Sequence, residues 1–441
     1  MSSKGSMSTT AIVIAIIALI VGAVIGVAAY PALFPPTAGV TITQQEYDEY
    51  QTLKTSGLTG EIKLGFLGSL SGRLATYGEN EQVAAEFAAT QVNTLLQDAG
   101  MDWTIKIVAE DTQTKPDIAL TKVELFNSQG ITLLIGPLSS AELLAIKGYL
   151  DANKILAISQ SSTVPSLAIP DDYIFRFAPT DVVQGRAIAR LIWDDGIEYV
   201  IAVTAQDAWG EELRDTTKER YIELGGTWWA EQIDYDVEAT EFSTEVSTLA
   251  TQVQSAITAH GVENVGVLII GFEEVAQFFT DAIAYPVLST INWYGSDGTA
   301  LSGAILESAT AANFSITTGF PNTIFKPSEE ATSKFEAVRQ NNLDVLGREP
   351  DPYSYACYDI VWAYTLALMA VDTYDADAVK EVLPTVAKSM LGALGWINID
   401  ERGDLEKKDY NIWKVEETSP GVYGWALAGV YNRDTDVITW L

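Results

Sequence analysis

Cysteine and histidine are nearly missing from this chain. In 441 residues there is one of each, Cys357 and His260. A lone cysteine forms no intrachain disulfide, so a disulfide framework is excluded. Metal sites built on His and Cys cannot be assembled, and a Ser-His-Asp triad would depend wholly on His260. His260 stands in "ITAHGVEN", just before Gly261, where a helix is expected to end and a positive side chain suits the helix dipole. Positive charge is scarce as well: 26 Lys and Arg against 59 Asp and Glu give a net charge of −33. Such a surface repels phosphate backbones, so no nucleic-acid partner is expected. The acids are dispersed, as on an ordinary solvated surface, and form no acidic tail.

What is present begins with one long apolar run. Residues 11–29 are all apolar or glycine, enough to cross a bilayer as a helix. Lys4 precedes the run and the first charge after it is Glu46, which orients the short N-terminus inward and the bulk outside. The run exceeds an ordinary signal h-region, which favours a retained anchor. The pattern "KGSMSTT" before it resembles archaeal pilin-like leaders cut after Lys4-Gly5, and such a cut would leave the hydrophobic helix in place. Residues 1–36 thus read as leader and transmembrane anchor, and 37–60 as a polar spacer.

From residue 61 short apolar runs alternate with helix-period segments. Strands are expected at 62–67, 103–110, 131–137, 154–159, 199–205, 227–233 and 265–271, and helices at 79–97, 211–224 and 242–260. This alternation implies α/β architecture with parallel sheets covered by helices. It runs too long for one sheet, so two doubly wound lobes are expected. After Gly319 the pattern turns mostly helical, at 328–343, 353–373 and 377–389. A β-hairpin is expected around Glu401-Arg402-Gly403-Asp404.

The stretch "GFLGSLSGRLATYG" (65–78) poses the functional question. Its glycines, Gly65, Gly68, Gly72 and Gly78, do not fit G-x-G-x-x-G, and no G-K-[ST] closes a phosphate loop. Ser69 and Ser71 have no activating His or Lys signalled nearby, so catalysis lacks a nucleophile. A loop that holds a ligand remains. Further on, Ser139-Ser140-Ala141-Glu142 reads as a capping box opening a helix. The free N–H groups there either serve the cap alone or attract an anion.

Taken in order, "IKLGFLGSLSGRLATYGENEQVAAEFAATQVN", "EDTQTKPDIALTKVELFNSQGITLLIGPLSSAELLAI", "ILAISQSSTVPSL", "IFRFAPTDVVQGRAIA", "DAWGEELRD", "LIIGFEEVAQF" and "WYGSDGTA" resemble the type I periplasmic binding proteins of branched-chain amino acid ABC importers. The resemblance runs from Glu61 to Glu416. It implies two α/β lobes joined by a crossing hinge, with 61–178 and 315–392 in one lobe and 179–314 and 393–441 in the other. It also implies a ligand-binding set: Tyr77 from the first loop, Ser140 for an α-carboxylate, Ser161 and Thr163 completing the carboxylate and ammonium contacts, and Asp297 against the α-ammonium. Trp209 and Phe272 fall where the family commonly has tyrosine, which removes two phenol hydroxyls. The expected function is a membrane-anchored solute-binding protein that closes on an amino acid and delivers it to an ABC permease with its ATPase subunits. No catalytic residues, cofactor or metal are expected. Alternatives are a urea- or short-amide-binding protein on the same fold, a filament or surface protein suggested by the leader, a hydrolase using paired carboxylates, and a signalling receptor.

Overall fold

The computed structural model describes residues 57–406 and 408–441. The expected anchor at 11–29 and most of the spacer lie outside the described residues. The first body alternates β1 (Gly60–Gly68), α1 (Ala75–Asp98), β2 (Trp103–Asp111), α2 (Pro116–Ser128), β3 (Leu133–Ile135), α3 (Ser140–Asn153), β4 (Leu156–Ser159) and β5 (Ile174–Arg176). Its sheet is parallel, in the order β2-β1-β3-β4-β5. β3 and β4 are buried along their whole length, as continuous apolar strands of a covered parallel sheet must be.

The second body follows with α4 (Asp181–Asp194), β6 (Tyr199–Ala205), α5 (Ala208–Glu223), β7 (Thr227–Trp228), β8 (Ile233–Tyr235), α6 (Ser243–His260), β9 (Val265–Ile270), α7 (Val275–Ala282), β10 (Asn292–Tyr294), α8 (Gly303–Glu307) and α9 (Ala309–Thr318). Its sheet runs β10-β9-β6-β7, and β8 also pairs with β6. The single strand expected at 227–233 is therefore two. β7 pairs with the start of β6 at Tyr199 and Val200, and β8 with its end at Val203–Ala205. Trp229 N–H still donates to the Val200 carbonyl at 2.8 Å, and the chain leaves the sheet edge at 230–232. His260 closes α6 as expected and stacks on Tyr199, centroids 3.6 Å apart.

The remaining elements are β11 (Asn322–Phe325), α10 (Thr332–Leu346), α11 (Pro352–Val371), α12 (Ala376–Lys388), β12 (Leu391–Gly392), β13 (Gly395–Trp396), β14 (Tyr410–Ser419), β15 (Val422–Asn432) and β16 (Val437–Trp440). β11, β14, β15 and β16 form an antiparallel sheet in that order. It spans both cores: Ile324, Ile412 and Tyr431 pack with the first, Val415, Tyr423 and Trp425 with the second. α11 is long and apolar enough to cross a membrane but is a core helix, largely buried. Asp351 caps it by accepting from the backbone N–H of Tyr353 and Ser354. Along α1, Ala84, Ala85 and Ala88 are wholly buried, and such small side chains let neighbouring helices approach closely.

The turn expected around 401–404 is formed, with short arms. Ile399 and Leu405 make an antiparallel bridge, Asp400 N–H donates to the Asp404 carbonyl at 2.8 Å and Glu406 N–H to the Asn398 carbonyl at 2.8 Å. Asp400 folds the turn on itself by accepting from the N–H groups of Arg402 and Asp404. Asp404 is also drawn to the first sheet, where it accepts two hydrogen bonds from Arg176, Nε at 2.5 Å and Nη2 at 2.7 Å. A longer hairpin, β14–β15, follows it, turning at Pro420-Gly421, where Gly421 has φ +74°.

Candidate functional site

The glycine loop is fixed from below by Asp111 at the end of β2. Its carboxylate accepts from Leu70 N–H, Ser71 N–H, Ser71 Oγ and Gln113 N–H. Burial opposes ionisation there, yet these bonds prevail and hold the carboxyl below its ordinary pKa. Gly72 sits at φ +87°, and a Cβ on it would lie 2.6 Å from the Gln113 carbonyl oxygen. The loop therefore delivers Leu74 and Tyr77 to a defined place.

That place is a narrow, nearly filled cavity between the two bodies. Leu74, Tyr77, Leu138, Ser139, Ser140, Ser161 and Tyr353 line it from one side, and Trp209, Phe272, Asp297 and Gly298 from the other. Most of these positions follow the carboxyl ends of parallel strands, where open α/β sheets bind ligands.

On the first side, the capping box is formed as expected. Ser139 Oγ accepts from Glu142 N–H at 3.3 Å, and Glu142 Oε2 accepts from Ser139 N–H at 3.1 Å. Ser140 opens α3, so its wall carries the positive end of a helix dipole. Ser161 Oγ donates to the Leu138 carbonyl at 2.7 Å. Thr163 stands behind this wall. Its N–H donates to Ser140 Oγ at 3.2 Å and its hydroxyl to Asp181 at 2.9 Å, so it fixes Ser140.

On the second side, Trp209 and Phe272 stack, centroids 4.4 Å apart and rings within 17° of parallel. Asp207 holds the start of the helix bearing Trp209 by accepting from Gly210 N–H at 2.9 Å. Gly298 is required beside them: a Cβ would lie 2.6 Å from the Trp209 ring and 2.9 Å from Phe272. Asp297 is 4% exposed. Gln184 donates to its Oδ1 at 2.8 Å, and the Tyr353 phenol donates to its Oδ2. Burial pushes the carboxyl pKa up, and these hydrogen bonds pull it back. Tyr77 crosses the cavity, its hydroxyl 2.6 Å from the Ala300 carbonyl and 3.0 Å from that of Asp297.

Tyr77, Ser140, Ser161, Trp209, Phe272 and Asp297 thus meet at one cavity, with Thr163 directly behind. Sequence reasoning missed Gln184 and Tyr353. Gln184 is a buried amide on the core face of the amphipathic helix α4, and Tyr353 follows the Asp351-Pro352 helix start that fixes its position. Both features are visible in the sequence, but neither names a partner. Among the described residues no cluster of three or more His, Cys, Asp or Glu is arranged to hold a metal ion.

Residues 61–416 match the sequence profile of the periplasmic binding proteins. The chain belongs to the type I periplasmic binding protein family of branched-chain amino acid ABC transporters. The binding protein is 34% identical over 421 residues to an uncharacterized protein of Methanocaldococcus jannaschii, covering 91% of this chain and 96% of that one. It is 25% identical over 376 residues to Leu/Ile/Val-binding protein homolog 1 of Brucella melitensis, covering 83% and 93%. The fold is similar to that of the branched-chain amino acid transporter substrate binding protein of Streptococcus pneumoniae, solved with isoleucine. That likeness has a TM-score of 0.65 at 19% identity and covers 83% of this chain and 99% of that one. The binding protein is accordingly a solute-binding component of an ABC transporter.

Proposed function

We propose that the protein captures a free amino acid, branched-chain or similar in size, and hands it to an ABC permease driven by ATPase subunits. The observation that carries this reading is the placement of opposite electrostatic ends on one cavity. The N-terminus of α3 with Ser140 and Ser161 faces it from one body, and the Asp297 carboxylate from the other. The α-carboxylate takes the helix terminus and the α-ammonium takes Asp297. An ionised carboxylate offers about four acceptor sites, so Gln184 and Tyr353 orient it and leave capacity for the ammonium. Leu74, Leu138, Trp209 and Phe272 receive the apolar side chain. The first body acts as one jaw and the second as the other. The solute favours the closed state by contacts that the open state lacks. The apolar run at 11–29 tethers the protein to the cytoplasmic membrane with its bulk at the cell surface.

The test is a thermal-shift screen of the full chain with leucine, isoleucine, valine, phenylalanine, urea and acetamide. A ligand at about 100 times its Kd adds roughly 2.7 kcal/mol of stability. A shift with at least one amino acid supports the reading. A shift with urea or acetamide alone replaces it.

A further inference from the structure

Arg73 belongs to the first body, in the loop between β1 and α1, yet it reaches the second body at three points. Its Nη2 lies 3.2 Å from Asp207 Oδ2. Its guanidinium sits 4.9 Å from the centre of the Phe272 ring, on which Trp209 also stacks. Its carbonyl accepts from Glu273 N–H at 3.3 Å. The side chain is 12% exposed, and its Nε and Nη1 are buried without a direct hydrogen-bond partner.

The groups facing Arg73 are mostly acids, and they come from both bodies. Glu142 in the first turn of α3 and Glu274 before α7 each have one buried carboxylate oxygen without a direct partner. Burial pushes both carboxyls up, and the Arg73 charge pulls both back. The Tyr235 hydroxyl donates to the other Glu274 oxygen at 2.7 Å. Glu273, packed at Thr76 with Arg348 nearby, is pushed up to about 7, chiefly by burial. Closure therefore gathers Glu142 from one body with Asp207, Glu273 and Glu274 from the other. Like charges brought together out of water repel strongly. Arg73 stands among Glu142, Asp207 and Glu274, while Arg348 stands beside Glu273.

We infer that Arg73 is a positioning residue for closure: its charge lets acids of both jaws meet beside the bound solute, so its loss speeds release and leaves capture nearly unchanged. Glu142, Glu273 and Glu274, all raised by burial, also set a pH signature. Groups whose pKa is raised in the closed state favour that state as pH falls through the raised value. The benefit of Arg73 therefore shrinks toward acid pH. This inference rests on the amino-acid-binding reading.

The experiment measures isoleucine association and release by stopped-flow tryptophan fluorescence on the full chain, at pH 8.0 and pH 5.5. For Arg73→Met, release is expected at least tenfold faster than wild type at pH 8.0, with association within threefold. At pH 5.5 the difference should fall below threefold. Arg73→Lys should retain most of the slow release, and adding Glu274→Gln to Arg73→Met should recover part of it. Unchanged release at pH 8.0, or an equal defect at both pH values, overturns the inference. If Arg73→Met does not fold, Glu274→Gln alone decides: a flatter pH profile of release supports the inference and an unaltered one overturns it. A solute-independent arm places spin labels at Asp117→Cys and Glu241→Cys, one on each body. Arg73→Met should shift their separation to longer distances at pH 8.0, and no shift overturns the inference. Absence of isoleucine binding to wild type counts against the amino-acid reading, and the label distances still judge Arg73.

Discussion

Tyr353, in the first turn of α11, donates its phenol hydrogen to Asp297, a residue of the other side of the cavity. The bond joins the apolar core helix α11 to the acid assigned to the ammonium. It makes Asp297 an oriented acceptor rather than a free surface charge.

Removing that donor should weaken binding without emptying the site. A hydrogen bond to a charged group contributes roughly 1.5–3 kcal/mol. Tyr353→Phe is expected to raise the isoleucine Kd by about 10- to 100-fold. The ammonium needs Asp297 ionised, and losing a donor raises its pKa further. The acid limb of binding should therefore move to higher pH in Tyr353→Phe. Titration calorimetry from pH 5 to 8 reads both effects.

Gly298 sets the room for the aromatic stack. A Cβ there would stand 2.4 Å from the Gly271 carbonyl oxygen as well as against both rings. Gly298→Ala is expected to cost about 1–3 kcal/mol by overpacking. Much of that cost should appear as weaker isoleucine binding and an altered tryptophan emission spectrum. An unchanged spectrum and Kd would show that the stack does not shape the cavity.

The sequence makes the two parallel sheets legible because their strands are continuous apolar runs between helix-period segments. It conceals the shortest strands. β5 and β10 are three residues each, and their pairing depends on neighbours rather than on periodicity. The turn at 401–404 is legible, but not its tie to the first sheet, because Arg176, the partner of Asp404, lies 228 positions earlier. The site loops are legible through the capping box and the ordered resemblance. Gln184 and Tyr353 are not, since a buried amide and a helical tyrosine acquire a role only when the fold brings Asp297 to them.

The Arg176–Asp404 pair supports the crossing between bodies. Arg176 is wholly buried, and its Nη1 also donates to the Val164 carbonyl at 2.7 Å. Breaking a buried pair from one side costs about 3–5 kcal/mol, whereas apolar replacement of both partners is often nearly neutral. Arg176→Ala should destabilise by that amount in urea unfolding. Arg176→Met combined with Asp404→Leu should recover most of the loss.

Asp359 gives a pH test of stability. It is fully buried in α11, accepts from the N–H groups of Ala393 at 2.6 Å and Leu394 at 2.9 Å, and is pushed up to about 7 by burial. Its folded pKa lies above its unfolded value, so the native state binds the extra proton between roughly pH 4 and 7. Stability should therefore decline as pH rises across that window and level off above it. Asp359→Asn should remove this part of the slope, measured as the difference in urea-unfolding free energy between pH 5.0 and 8.0 for the two proteins.

Capture depends on one solute held by opposite ends from two jaws. Isothermal titration of isoleucine into the full wild-type chain and into Asp297→Ala tests it most directly. An uncompensated buried ammonium costs about 3–5 kcal/mol. The predicted result is measurable binding to wild type and at least a hundredfold weaker binding to Asp297→Ala. Equal affinity in the two proteins would contradict it.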